Sequence, residues 1–150
     1  YRSTAFGYMV QAESDMGWQL LLRGAAIAPA VLAEVQTYYD VVCSRQPRGY
    51  RGMAEDLDVA SVGLDILRRL DVGLLAADEP LRSLHSIAIG AACLALAQLA
   101  DKGGDWGLAR HFLWQAFLAS PTLAASGIRL RRVVKLIAGK RLSAVFRSLK

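Results

Sequence analysis

The chain has 150 residues, a length that fits one domain and can bury a core without disulfides or structural metals. Its net charge is +5, and its apolar fraction of 54% is high for a soluble protein, with much of it in the helix formers Ala and Leu. β-branched and aromatic residues form no short alternating runs, which argues against strands. We therefore expect one all-α domain over residues 1–150, an irregular bundle of about six or seven helices.

The start of the chain and its cysteines bear on location. The chain opens at Tyr1 and shows neither the basic start nor the apolar run of a signal peptide, which favours a piece of a longer protein. Cys43 and Cys93 lie in apolar helical contexts, and a free Cys behaves as a small buried hydrophobe. We expect reduced thiols and a cytoplasmic location.

The first half of the chain predicts two helices and a loop. A helix over 8–23 would use Met9, Ala12, Met16 and Leu20, and a joint bracketed by Gly24 and Pro29 follows it. The next helix, over about 29–44, has the apolar positions Val31, Val35, Tyr38, Tyr39 and Val42. The basic stretch 44–52 contains two glycines and a proline and predicts a loop.

A third helical span covers 53–76 and a fourth covers about 80–101. The apolar positions of the third are Leu57, Val62, Leu64, Leu67 and Leu70, and Gly73 is a candidate dividing point within it. Asp78-Glu79-Pro80 is typical of a helix start. The window 83–100 is the most apolar of the chain, but it includes polar residues and much Ala, so we interpret it as a buried helix rather than a membrane span.

One spacing after this window matches a known repeat. From Gly104 onward the pattern is Trp106, Ala109, Leu113, Ala116, Phe117 and Pro121. It resembles the second helix of a tetratricopeptide repeat, in which two small Ala residues seven apart let a neighbouring helix approach. Trp106 and Leu113 would fill the space on either side, and Pro121 would end the helix.

The preceding helix fits that repeat less well. Cys93, Leu96, Ala97 and Ala100 stand where the repeat has two large aromatics among its positions, and steps of 34 residues in either direction find no second copy. A self-standing solenoid needs about three repeats. We therefore expect one tetratricopeptide-like helical hairpin, over about 86–121, and no array.

The end of the chain is strongly basic. Residues 123–150, predicted to form basic terminal helices, hold eight cations and no acid, whereas the other residues hold ten cations and thirteen acids. Three interpretations stand: terminal helices that cover the core, an amphipathic surface for an anionic membrane or a protein partner, and nucleic-acid binding, which is disfavoured because no known motif accompanies the charges. The candidate anionic-surface contacts are Arg129, Arg131, Arg132, Lys135, Lys140 and Arg141.

Few residues of the chain are candidates for catalysis or metal binding. Asp56-Leu57-Asp58 has the acid-x-acid form of a metal-diphosphate site, but it opens a helical span, where acids cap the first turn. His85 and His111 have no Cys, Asp or Glu at ligand spacing, and no nucleophile elbow or phosphate loop occurs. The sequence predicts no catalytic residue, no cofactor-binding residue and no metal ligand.

The end of the chain is similar to the C-terminal helical extension of bacterial family 2 glycosyltransferases. The matching residues are Gly104, Asp105, Ala109, Leu113, Ala116 and Pro121, followed by the basic run through Lys140-Arg141-Leu142. Tyr1-Arg2 resembles the end of the catalytic domain in that family, and residues 1–7 would be its remnant, although Ser3–Gly7 departs from the usual phrase. The resemblance implies a nucleotide-sugar donor, a divalent metal and work at the inner membrane surface, with the catalytic residues outside this chain.

Two hypotheses follow. The first is a non-catalytic accessory domain of a glycosyltransferase, peripheral at the inner membrane, which positions an acceptor, a partner or the membrane surface. The second is a stand-alone tetratricopeptide-like interaction module, forming a homo-oligomer through its apolar helices.

Overall fold

The computed structural model describes residues 14–44 and 57–127. Within these ranges the chain forms α-helices and one 3-10 helix, and no strand: α1 (Ser14–Ile27), the 3-10 helix (Pro29–Ala33), α2 (Val35–Ser44), α3 (Val59–Leu75), α4 (Glu79–Arg82), α5 (His85–Lys102), α6 (Trp106–Ala119) and α7 (Pro121–Gly127). The expected all-α bundle of about six or seven helices is confirmed. The predictions for residues 1–13, 45–56 and 128–150 lie outside the described residues.

Helix α5 is the centre of the bundle. It packs against α2, α3, α6, α7 and the 3-10 helix, and eleven of its residues are buried, six of them alanines. Small side chains let several helices approach one axis closely. The predicted buried helix is confirmed, and no helix among the described residues combines the length and apolarity needed to cross a bilayer.

Two glycines mark the closest approaches between helices. A Cβ on Gly63 of α3 would lie 2.9 Å from Phe112 Cζ and 3.1 Å from Leu96 Cδ1, so α3 meets both α5 and α6 at this point. A Cβ on Gly90 of α5 would lie 2.8 Å from the Cβ of Ser120, the residue between α6 and α7. These contacts fix how α5 and α6 lie together.

Helices α5 and α6 form a hairpin with a three-residue connection. Gly104 in this turn has a φ of +81°, a left-handed conformation that glycine adopts without steric cost. The next residue, Asp105, caps α6 by accepting a hydrogen bond from the Leu108 amide at 2.9 Å. The hairpin's likeness to a tetratricopeptide pair stays a prediction.

The predicted joints of the first half were partly wrong. Helix α1 continues through Gly24 to Ile27, and the predicted helix over 29–44 is two elements that meet at the extended residue Glu34. A local hydrogen bond joins them, because the buried Tyr38 hydroxyl donates to the Leu32 carbonyl oxygen at 2.9 Å. The 3-10 helix also packs against α1 and α5, contacts that the pattern within 29–44 does not specify.

The predicted joints of the second half also need correction. Gly73 does not divide α3, and a Cβ there would lie 3.0 Å from Leu22 Cδ1, so the glycine makes room for α1. The predicted helix over 80–101 is instead the short α4 and then α5. The Ser83 hydroxyl donates to the Pro80 carbonyl oxygen at 2.9 Å and closes α4 locally.

The core differs from the predicted apolar positions in two helices. In α1 the buried side chains are Trp18, Leu21 and Ala25, whereas the predicted Met16 is exposed. Of the set predicted for the span 53–76, Leu70 is buried, Val62 and Leu67 of α3 and Leu57 before it are half-buried, and Leu64 is exposed. The other large core residues of α3 are Val59, Ile66 and Leu74. In the 3-10 helix and α2 the prediction was better, since Tyr38, Tyr39 and Val42 are buried and Val31 and Val35 half-buried.

Candidate functional site

The described acidic residues near the acid-x-acid pattern and on α3 make contacts within the fold. Asp58, from the acid-x-acid pattern, is the N-cap of α3 and accepts from the Ser61 amide at 3.1 Å. Asp56 lies outside the described residues. Asp65 bonds Arg69 on the same helix at 3.0 Å, and Arg69 also bonds Asp15 of α1, which raises the pKa of the guanidinium.

The two histidines lie apart from each other. His85 Nε2 lies 2.8 Å from Asp71 Oδ1 and so connects the start of α5 to α3. His111 is exposed on α6, with its ring edge-on to Phe112 at 5.6 Å between centroids. Within residues 14–44 and 57–127 no three His, Cys, Asp or Glu side chains gather as metal ligands would.

Cys43 and Cys93 are fully buried and are not joined in a disulfide. Burial raises the pKa of the Cys93 thiol to about 12, because the thiolate would lose its hydration inside the bundle. Burial likewise raises the pKa of the Tyr38 hydroxyl. Neither group is poised for nucleophilic chemistry.

A cleft of about 440 Å³ lies where the starts of α3 and α6 meet the end of α5. Its polar side chains are Asp58, Asp105 and Lys102, and both acids are helix caps. Lys102 Nζ donates to the Tyr39 hydroxyl at 2.7 Å and lies 4.7 Å from the ring centroid, which places the ammonium beside the hydroxyl rather than above the ring face. The polar groups of the cleft are thus engaged in the fold.

The residues predicted for helix-pair packing divide by burial. Ala109, Leu113 and Ala116 are buried, Trp106 is half-buried, and Pro121 is exposed. Helix α6 ends at Ala119, and Pro121 opens α7. The predicted anionic-surface residues, Arg129, Arg131, Arg132, Lys135, Lys140 and Arg141, lie outside the described residues.

The side of α6 opposite the core carries an apolar row with positive charge. We call Arg110, His111, Trp114 and Leu118 the α6 face, since three- and four-residue steps place them on one side of the helix. Trp114 is 64% exposed and Leu118 is 63% exposed. From Trp106 to Lys150 the sequence has nine cations and no acid. The α6 face therefore begins the basic part of the chain.

A second apolar row lies on the side of α3 away from the core. We call it the α3 face, and it consists of Leu64, Arg68, Asp71, Val72 and Leu75. Leu64 is 69% exposed, Val72 64% and Leu75 52%. Unlike the α6 face, this row carries both signs of charge.

Large apolar side chains on one connected surface mark interaction sites more often than isolated ones do. Sequence reasoning missed both faces. The available signal was that apolar residues of α3 and α6 occur all around each helix, more than one buried side needs.

Comparison with known proteins gives no relative. No family model, no curated protein and no solved structure matches the chain.

Proposed function

We propose that this chain is a non-catalytic helical accessory domain of a glycosyltransferase, holding the enzyme at an anionic membrane surface where acceptor or partner is presented. The observation that carries the membrane part is the α6 face. Its exposed Trp114 and Leu118 share one side of the helix with Arg110, and the sequence has no acid from Trp106 onward. Trp is favoured where an apolar body meets a polar boundary, and basic residues are drawn to anionic lipid.

The glycosyltransferase part of the proposal rests on the resemblance of Gly104, Asp105, Ala109, Leu113 and Ala116 to that family's helical extension. It is checked by sequencing the gene upstream of Tyr1. An upstream coding region in the same frame supports the proposal if it encodes a domain with β-strands and an acid-x-acid site. A reading frame that starts at this chain contradicts the proposal.

The membrane part is tested by co-sedimentation with lipid vesicles. We expect binding to vesicles that mix phosphatidylcholine with phosphatidylglycerol, little binding to phosphatidylcholine alone, and weakening as salt rises. Trp114→Ala should weaken binding by roughly ten- to a hundredfold, since burying a large apolar side chain contributes about 1.5–3 kcal/mol. The fluorescence emission of Trp114 should shift to shorter wavelength when the original chain binds vesicles, and the variant should lack that shift.

The matched control is Leu64→Ala, which removes an equally exposed apolar side chain from the α3 face. We expect it to leave vesicle binding unchanged. Arg131→Glu combined with Arg132→Glu should weaken binding further, if the basic end lies on the same lipid surface. Vesicle binding that does not depend on lipid charge or salt would contradict the membrane role, and so would vesicle binding that is unchanged in Trp114→Ala.

A stand-alone interaction module is the second candidate. The α5–α6 hairpin favours it, because buried Ala109 and Ala116 give the small-residue contact that repeat pairs use. In that case the chain should bind a protein partner with no dependence on lipid and should self-associate through its apolar helices. A chain that is monomeric in light scattering would contradict this candidate.

A further inference from the structure

We infer that the α3 face is a contact surface for a second copy of this chain, joined as an antiparallel helix pair across a two-fold axis. Three large apolar side chains are exposed there, on a helix whose opposite side is fully buried at Ile66, Leu70 and Leu74. Such a row is costly in water unless something covers it. The charges within the row indicate what covers it.

The spacing of the row is that of a coiled-coil seam. Ser61, Leu64, Arg68, Asp71 and Leu75 are exposed and follow one another at alternating steps of three and four residues. Residues at these steps form one stripe that packs against a matching stripe on a second helix. Val72 flanks the stripe and widens its apolar part.

The stripe is complementary to itself in one orientation. With a two-fold axis between Arg69 and Leu70, Leu64 of one copy faces Leu75 of the other, and Arg68 faces Asp71 of the other. A two-fold interface repeats every contact, so the pair gains two Leu–Leu contacts and two ion pairs. A parallel pair in register would place Arg68 against Arg68 and Asp71 against Asp71, so charge selects the antiparallel arrangement.

The two charged side chains are available for this contact. Asp71 uses Oδ1 for His85 and keeps Oδ2 for a second donor. The neighbouring Arg69 and Asp65 bond each other, and Arg69 also bonds Asp15 of α1, so they do not compete for Arg68 or Asp71. The α6 face has no such complement, because two copies of it would bring cations together without an acid.

The predicted dimer is weak, because a single short helix pair gives an interface at the small end of specific contacts. Sedimentation velocity on the chain over a wide concentration range should show a monomer–dimer equilibrium. Arg68→Glu should weaken the dimer about tenfold, since each ion pair becomes a repulsion between acids. Asp71→Arg should weaken it by a similar factor.

The double variant Arg68→Glu, Asp71→Arg restores opposite charges across the axis and should return the dissociation constant to within about threefold of the original. Trp114→Ala on the α6 face is the matched control and should dimerise normally. Circular dichroism checks that each variant remains folded, and Leu64→Lys gives an independent loss of the dimer if a charge variant unfolds.

Three results would overturn the inference. One is a chain that stays monomeric at every concentration, which would leave the α3 face to a different partner. Another is a double variant that dimerises no better than either single variant. The third is a dimer whose dissociation constant rises in Trp114→Ala but is unchanged by substitution of Arg68, Asp71 or Leu64.

Discussion

The α3 face and the α6 face are alike in shape and unlike in charge. Each is an apolar row on the outer side of a helix whose inner side packs against α5, and Leu64 and Trp114 are exposed to a similar degree. On α3 the row holds Arg68 and Asp71, whereas on α6 it holds Arg110 and no acid. Apolar area supplies attraction in both, and charge decides which surface each can meet.

One small bundle thus holds two separate apolar rows that differ in charge. Both helices are anchored by the same central helix, so each outer row is held rigidly without taking part in the core. A mixed pattern of charge suits a copy of itself, and a single sign suits a surface of the opposite sign.

The largest expected effect separates the inner and outer sides of the same helices. Phe112→Ala should lower the free energy of unfolding by about 3–5 kcal/mol and Leu70→Ala by about 2–5 kcal/mol, because each leaves a cavity. Trp114→Ala and Leu64→Ala should change it by about 0.5 kcal/mol or less. Urea denaturation at high dilution, where the chain is monomeric, gives these values. If either outer variant lowered the free energy of unfolding by more than about 2 kcal/mol, its side chain would belong to the core and not to an outer row.

A second substitution acts on the α6 side alone. Gly90→Ala should destabilise by about 1–3 kcal/mol, because the new Cβ would lie 2.8 Å from Ser120 Cβ at the end of α6. The gain of about 1 kcal/mol for Ala over Gly in a helix offsets part of the loss. Hydrogen exchange should rise in α6 and α7 more than in α3. A uniform rise across the bundle would contradict this local strain.

Alkaline pH should lower the free energy of unfolding of the whole bundle, since Cys93 is buried in the central helix α5. Its folded-state pKa of about 12 lies above the ordinary 9.0, so its contribution is complete below pH 9.0 and is lost as pH rises toward 12. The free energy of unfolding should fall by at most about 1.4 kcal/mol per pH unit for this group. Cys93→Ala should make the fall shallower. An unchanged slope in the variant would show that the thiol does not titrate as proposed.

The smallest expected effects come from the helix caps and distinguish the two helices. Asp58→Ala should weaken the start of α3, and Asp105→Ala the start of α6, by about 1 kcal/mol each. Thermal unfolding gives the change in stability. The Asn variants keep a capping oxygen and serve as controls, with nearly unchanged midpoints. Equal losses for Asn and Ala would mean that the carboxylate charge, not the cap, is what matters.

Local signals in the sequence were enough for part of the fold. The capping role of Asp58 and the burial of most of the 83–100 window, from Ala88 onward, follow from short-range chemistry and composition, and both are present in the structure. The break at Glu34 and the passage of α1 through Gly24 accompany packing of the 3-10 helix against α1 and α5. The break after Arg82 is closed locally by the hydrogen bond from the Ser83 hydroxyl to the Pro80 carbonyl oxygen. Periodicity does not contain that information.

The candidate surfaces show the same division. The apolar residues of α3 could be identified, but which of them faces the core depends on where α5 lies, so Leu64 was placed on the wrong side. Trp114 and Leu118 were overlooked because they form no chemical motif. The basic residues from Arg129 to Arg141 are plain in the sequence, and their role stays a prediction.

The alanine content of α5 has a thermodynamic consequence. Burying a long side chain freezes rotamers, whereas burying Ala or Gly freezes none. Because six of the eleven buried residues of α5 are alanines and one is glycine, most of the central helix is ordered at the cost of its backbone alone. The bundle gains less apolar area there, but it loses little side-chain entropy on folding. The central helix α5 can therefore pack against its neighbouring helices while few of its own side-chain rotamers have to be fixed.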